Sequence, residues 1–413
     1  MSINKYLIAF PFSLLMVCNN IKAQEQKVLI DVDFPGGNII VNGSNNTSTL
    51  YYEVTDDTIS VRPDLRDTEG NWFYWYFRVT GAAEKTLYFQ FPGRHISSFG
   101  PAYSTDGGKS WQWLYDEVQN NHSSFSYSFE KNKNEVLFSV GMPYLQSNFD
   151  EFIASYQDDN YTKLGMLTVS KKGRNIEKVT IRSPKKKPKY KILITARHHA
   201  CEMMASYALE GIIASVLGND DKNMKWLREN VEFFIVPFMD KDGVEDGDQG
   251  KNRMPRDHNR DYSEVSVYNS TSALREKIPK WSQGQLKIGL DLHCPGIVGN
   301  WHEHIYSVGA EDERMAKQQK IFMETLVERQ KGELQILPEH SFLEHGTSWN
   351  VTNTFKKGVG FRGWVSSIEG VTLAISFELP YANNNGQQVI PENARLFGKD
   401  LADVISIYLQ EIH

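Results

Sequence analysis

Tyr190-Lys191-Ile192-Leu193-Ile194-Thr195-Ala196 is an almost unbroken apolar run that passes straight into the polar cluster Arg197-His198-His199-Ala200-Cys201-Glu202. A short run of this kind, bounded by charge, reads as a strand buried on both faces, as in the interior of a parallel sheet. Met203 to Leu217 then reads as a helix. The pattern recurs downstream. Val231-Glu232-Phe233-Phe234-Ile235-Val236-Pro237, Lys287-Ile288-Gly289-Leu290-Asp291-Leu292 and Thr372-Leu373-Ala374-Ile375-Ser376-Phe377 are further strands, with helices from about Asp312 to Lys331 and from about Asn393 to Leu409. Such alternation predicts an α/β domain, a mixed sheet flanked by helices, with its chemistry at the carboxyl ends of the strands.

Three of those ends carry candidate groups. The first strand runs into His199 and Glu202, the third into His293-Cys294-Pro295, and the last into Glu378. Singly, each is ordinary: an HxxE spacing arises by chance, and a histidine after an apolar strand is usually structural. Together they matter, because parallel strands deliver their ends to one edge. Two imidazoles and a carboxylate suit a catalytic zinc with one position left for water. The loop after the second strand, Gly250-Lys251-Asn252-Arg253-Met254-Pro255-Arg256-Asp257-His258-Asn259-Arg260-Asp261, adds guanidinium groups. A guanidinium can stabilise a developing oxyanion or grip a carboxylate bidentately.

Before this domain the pattern differs. From Lys27 to about Pro143, short alternating runs are broken by turns, among them Val28–Val32, Gly37–Val41, Trp72–Val79, Thr86–Phe91 and Glu135–Val140. With no helix-period segment between them they predict an antiparallel β-sandwich, its aromatics filling the core. The domain boundaries follow as 24–143 for the sandwich and 144–413 for the α/β domain. Residues 1–23 read as a cleaved export signal: Lys5, an apolar run from Tyr6 to Cys18, then a polar stretch ending at Ala23. The expected location is therefore periplasmic or secreted, with a lipid anchor at Cys18 as the lesser alternative. No later stretch offers the 18 or so uninterrupted apolar positions of a transmembrane span. Removing 1–23 takes away Lys5 and Lys22 and no acid, so the net charge of −6 becomes −8. That balance argues against a nucleic-acid partner held by net charge.

Taken together, these motifs resemble the family M14 zinc carboxypeptidases, in the cytosolic-carboxypeptidase-like branch that carries a β-sandwich ahead of the catalytic domain. Val61-Arg62-Pro63-Asp64, Trp72 to Phe77 and Gly141-Met142-Pro143-Tyr144-Leu145 resemble that branch in the sandwich and at the junction. The resemblance implies that His199, Glu202 and His293 hold one zinc ion. Glu378 would be the catalytic glutamate, Arg253 the oxyanion-stabilising arginine with Arg256 as substitute, and Asn259 and Arg260 the grip on a substrate's terminal carboxylate. Asp257 would orient His199. It further implies hydrolysis of C-terminal peptide or peptide-like amide bonds by Glu378-assisted attack of zinc-bound water.

Several features depart from the family pattern. Phe342 stands where a mobile tyrosine is expected, and no tyrosine occurs between Tyr306 and Tyr381. The acidic loop 240–252 is long and is expected to narrow the cleft. Cys201 and Cys294 flank the zinc motifs; packing is the expectation and a disulfide the alternative. Cys294-Pro295 is expected to be cis, and His302 and His304 to be surface or substrate contacts. Two other functions stay open: a zinc-dependent N-acyl or amide hydrolase of the deacylase type, and a non-catalytic relative that binds glycan or peptide.

Overall fold

The structure is a computed structural model and describes residues 27–41, 50–115, 118–119, 122–263, 265–351 and 358–411. The expected signal over 1–23, with Cys18, lies outside them. Among the described residues no helix is long and apolar enough to cross a membrane.

The strand that opened the reading, Tyr190–Ala196, lies inside an eight-stranded sheet. It pairs in parallel with Val231–Val236 on one side and Leu286–His293 on the other, and Leu373–Glu378 joins beyond. All four are buried along almost their whole length, which is why their sequences are nearly continuous apolar runs. Antiparallel strands close both flanks, Asn175–Ile181 and Thr162–Val169 on one and Tyr306–Val308 on the other. Register sets His293 beside Glu378. Helices cover the sheet, with Met203–Gly218 against Pro391–Glu411 as the closest-packed pair. Gly211 and Gly398 make that approach possible, since a Cβ on either would fall 2.0 Å from a backbone oxygen of the facing helix.

Two sheets of six and five strands form the N-terminal part, ending with Glu135–Ser139 before the helix Gln146–Ala154. The strand predicted over Trp72–Val79 begins only at Tyr76. Phe73, Tyr74 and Trp75 are nevertheless buried. Phe73 lies edge-on to Tyr381 of the α/β part, and the backbone N–H groups of Phe73 and Tyr74 donate to Gln249 Oε1. The run fills the seam between the two parts as well as the sandwich core. One continuous hydrophobic cluster extends from Val28 to Leu409.

The loop expected to narrow the cleft instead folds against the sandwich. It forms the helix Lys241–Asp246 and is fastened by Asn38 Nδ2 to Gly247 O at 2.7 Å, Gly36 N to Glu245 O at 2.8 Å and Arg66 Nη1 to Asp248 Oδ1 at 2.6 Å.

Candidate active site

Glu202 is the residue just before the helix Met203–Gly218, and His199 lies in the turn ahead of it. His199 Nδ1 is 2.8 Å from Glu202 Oε1, and His293 Nδ1 is 2.8 Å from Glu202 Oε2. The opposite ring nitrogens are held by other carboxylates. His199 Nε2 donates to Asp257, 3.1 Å from each oxygen, and His293 Nε2 donates to Asp291 Oδ2 at 2.6 Å. Both Nδ1 atoms thus lie on the Glu202 side; in a neutral ring with its proton on Nε2, each would present a lone pair there that can ligate a cation. The three side chains offer ligand atoms within 4.8 Å of one another. Nitrogen and oxygen donors at this spacing fit zinc, with a position left open.

Glu378 ends the neighbouring strand. Its Oε2 is buried with no hydrogen-bond partner among the described residues, as expected of a carboxylate that meets water or substrate in use. Burial raises its pKa, against the pull of Lys251 and His293. Burial works the other way from the charges at Asp257 and Asp291 too, but there the charges win: His199 holds Asp257, and His198 with His293 holds Asp291, well below the usual carboxylate range.

A pocket of about 400 Å³ opens beside these groups, lined by His199, His293, Glu378, Asn259, Arg260 and Arg362 among others. Asn259 Oδ1 accepts from Phe361 N at 2.8 Å, its Nδ2 lies 3.0 Å from His293 Nε2, and Arg260 Nη1 donates to Asn259 O at 2.6 Å. The described lining includes Trp349 and His345 and no tyrosine.

Arg253 is not brought to this site. Its Nη1 donates to Asp240 Oδ2 at 2.6 Å, its Nη2 to Asp248, and its Nε lies 3.0 Å from Asp67 Oδ2. The reason is tertiary: the sandwich loop reaches over, with Met254 N donating to Asp67 O at 2.8 Å and Thr68 bridging Arg253. Arg256 is no substitute, since it donates to Asp261 Oδ1 at 3.1 Å and Val265 O at 2.8 Å. The cation that does reach the zinc-ligand set is Lys251, 2.5 Å from Glu202 Oε1.

Asp291 was legible and passed over, because alternation along a strand puts it on the same face as His293. It also accepts from His198 Nδ1 at 2.8 Å, whose Nε2 accepts from Tyr262 OH at 2.7 Å. Arg362, on the short helix Phe361–Ser366, carries no motif that could have announced it.

Cys201 and Cys294 are free and buried, so packing describes them and the disulfide does not. Cys201 Sγ accepts from Gln249 Nε2 at 3.1 Å, and burial pushes its thiol up to about 12. The cis X-Pro bond is at Met254-Pro255 and not at Cys294-Pro295. His302 Nδ1 accepts from Gly296 N at 2.9 Å and His304 stacks on His340, and neither joins a metal-ligating group among the described residues.

Residues 149–320 match the zinc carboxypeptidase family. Cytosolic carboxypeptidase 3 of Bos taurus is 25% identical over 307 residues, which is 64% of this chain and 30% of that relative, so this chain spans less than a third of its length. The crystal structure of a metallo-carboxypeptidase from Burkholderia cenocepacia superimposes with a TM-score of 0.73 at 20% identity, covering 94% of this chain and 100% of that one. A metallo-carboxypeptidase from Pseudomonas aeruginosa gives 0.69 at 20% identity, with 93% and 100% covered. At such identities the likeness is one of fold, and it extends over the sandwich as well as the α/β part.

Proposed function

We propose that this chain, similar over residues 149–320 to the zinc carboxypeptidases, is an exported zinc-dependent metallocarboxypeptidase that removes acidic residues from the C-termini of peptides. The observation that carries the reaction is the facing of His199 Nδ1, His293 Nδ1 and both Glu202 oxygens beside the unpartnered Glu378 Oε2. His199, Glu202 and His293 would hold the zinc ion, which would supply Lewis acidity and lower the pKa of water toward neutral. Asp257 and Asp291 keep the two imidazoles in the ligating tautomer. Glu378 takes a proton from water on Oε2 and returns it to the leaving amine; its raised pKa suits a group that must do both.

The preference for acidic residues rests on charge. Arg260 and Arg362 line the same pocket, so a substrate bringing a terminal carboxylate and a side-chain carboxylate would meet a guanidinium for each. Arg362 donates to Val308 O and forms no ion pair among the described residues. The acids of the lining apart from Glu378, Glu311 and Asp312, are exposed to solvent. Export rests on the sequence of residues 1–23 alone.

The test is metal analysis of the purified protein together with hydrolysis of peptides ending in Glu, Gln, Phe or Lys, each with a free or amidated terminus. One zinc per chain and cleavage of free Glu-terminated peptides are expected, and equal cleavage of amidated peptides would refute the carboxypeptidase reading. E378Q should retain zinc and lose turnover by about a thousand-fold. A side-chain amide hydrolase is the second reading, favoured by the lack of a tyrosine in the described lining.

A further inference from the structure

We propose that Lys251, and not an arginine, supplies the cationic hydrogen bond to the carbonyl oxygen of the bond being cut. The inference rests on the peptidase reading above and assigns a residue that the sequence motifs did not nominate.

The two arginines nominated for this task are committed elsewhere, Arg253 to three carboxylates and Arg256 to Asp261. Lys251 is placed differently. Its ammonium donates to Glu202 Oε1 at 2.5 Å and to Cys294 O at 2.7 Å, and it acts electrostatically on Glu378. An ammonium has three N–H bonds, and those two acceptors use two of them. Its contact with the Glu202 carboxylate is an ion pair.

Position supports the role. Lys251 is not part of the pocket lined by Arg260 and Arg362; it approaches from the side of Cys294 and influences His302. A substrate whose terminal residue fills that pocket would present its last peptide carbonyl to Glu378 and the zinc ligands, the set whose Glu202 the ammonium bonds.

The chain around Lys251 is held by contacts on both sides. Gly250 has φ +78°, and a Cβ there would lie 2.3 Å from Ala200 N, so the loop presses on the turn that carries His199. Cys201 N donates to Gln249 O at 3.2 Å, and Asn252 N donates to Asp257 Oδ2 at 3.1 Å, the carboxylate that holds His199. Asn252 Nδ2 donates to Glu69 O of the sandwich at 2.7 Å. Fixing a donor before the reaction is what makes it effective, because no reorganisation is needed as charge develops.

In the step itself, the water oxygen bonds to the carbonyl carbon, one water proton passes to Glu378, and the carbonyl π pair moves onto oxygen. Lys251 keeps its protons and donates a hydrogen bond to that oxyanion. The oxyanion pair then re-forms the carbonyl as the carbon–nitrogen bond breaks with its pair going to nitrogen, which takes the proton from Glu378.

The experiment compares wild type, K251Q and K251R, all zinc-loaded, for zinc content, melting temperature, kcat and KM on a Glu-terminated peptide. Binding of a phosphonate analogue of that peptide, a tetrahedral anion, is measured by calorimetry. K251Q should keep one zinc and a KM within about three-fold of wild type. Its kcat should fall about 100-fold to 1,000-fold, the range for loss of one oxyanion donor. Phosphonate affinity should fall in parallel, and K251R should recover at least a tenth of the wild-type kcat. Unchanged phosphonate affinity in K251Q, or loss of its zinc, would overturn the assignment. If K251Q does not fold, K251R decides: retained phosphonate binding and turnover support the role of the charge, and loss of both with zinc retained refutes it. If wild type itself holds zinc but neither cleaves peptides nor binds the phosphonate, the peptidase reading falls. If both proteins do both equally well, only the role of Lys251 falls.

Discussion

Arg253 is a buried guanidinium and Arg362 a half-buried one, and their surroundings are opposite. Arg253 meets Asp67, Asp240 and Asp248, two of them drawn from its own loop and one from the sandwich. Arg362 donates to a single backbone carbonyl, and the charges that act on it are Arg260 and Glu378. Their acidities follow. Burial opposes the charge on both, but the carboxylates hold Arg253 above the ordinary guanidinium value, whereas burial and Arg260 bring Arg362 down to about 10. A buried charge neutralised by the fold serves the fold. One left facing a pocket is a recognition group.

The contrast can be broken most directly at Arg253. R253M leaves the buried Asp240 without its ion-pair partner and Asp248 with Arg66 alone, and should cost about 3–5 kcal/mol, read by urea unfolding. The loss should also depend on pH. Burial already raises both carboxylates above the ordinary 3.8, with Arg253 the strongest opposing influence. Without Arg253 their folded pKa values rise further, so the folded state binds protons that the unfolded state releases. Stability then falls as pH climbs from about 3.8 through the raised values, and the deficit of R253M should be larger at pH 8 than at pH 5.

At Arg362 the expected effect is on ligand and not on fold. R362M should leave the unfolding free energy within about 1 kcal/mol of wild type. It should weaken selection of Glu-terminated over Gln-terminated peptides about 10-fold to 100-fold, the worth of one charge-assisted hydrogen bond. A loss of stability in R362M as large as in R253M would erase the distinction. The smallest effect belongs to the outer arm of the Arg253 cage: Asp67 has a side chain 43% exposed, and D67N should cost under about 1 kcal/mol.

Legibility followed the range of the interactions. The four central strands were readable to within a residue or two because burial on both faces leaves continuous apolar runs. The edge strand Thr162–Val169 was not, since most of its side chains are exposed and no apolar pattern marks it. The helix Asn269–Ser282 was hidden by Pro279 inside it. Trp72 to Trp75 misled because Phe73 and Tyr74 are buried at the seam with the α/β part and Trp75 in the sandwich core, none of them in a strand.

Sequence alone determined the parallel core and the arrival of His199, Glu202, His293 and Glu378 at one edge, because strand ends in a parallel sheet converge whatever else the chain does. Tertiary structure decided which cations stand there. The sandwich loop captures Arg253, while Gly250 packs against Ala200 and Lys251 bonds Glu202. Partners for a charge come from anywhere in space, and the carboxylate of Asp67 lies in the other part of the molecule, so adjacency along the chain could not reveal it.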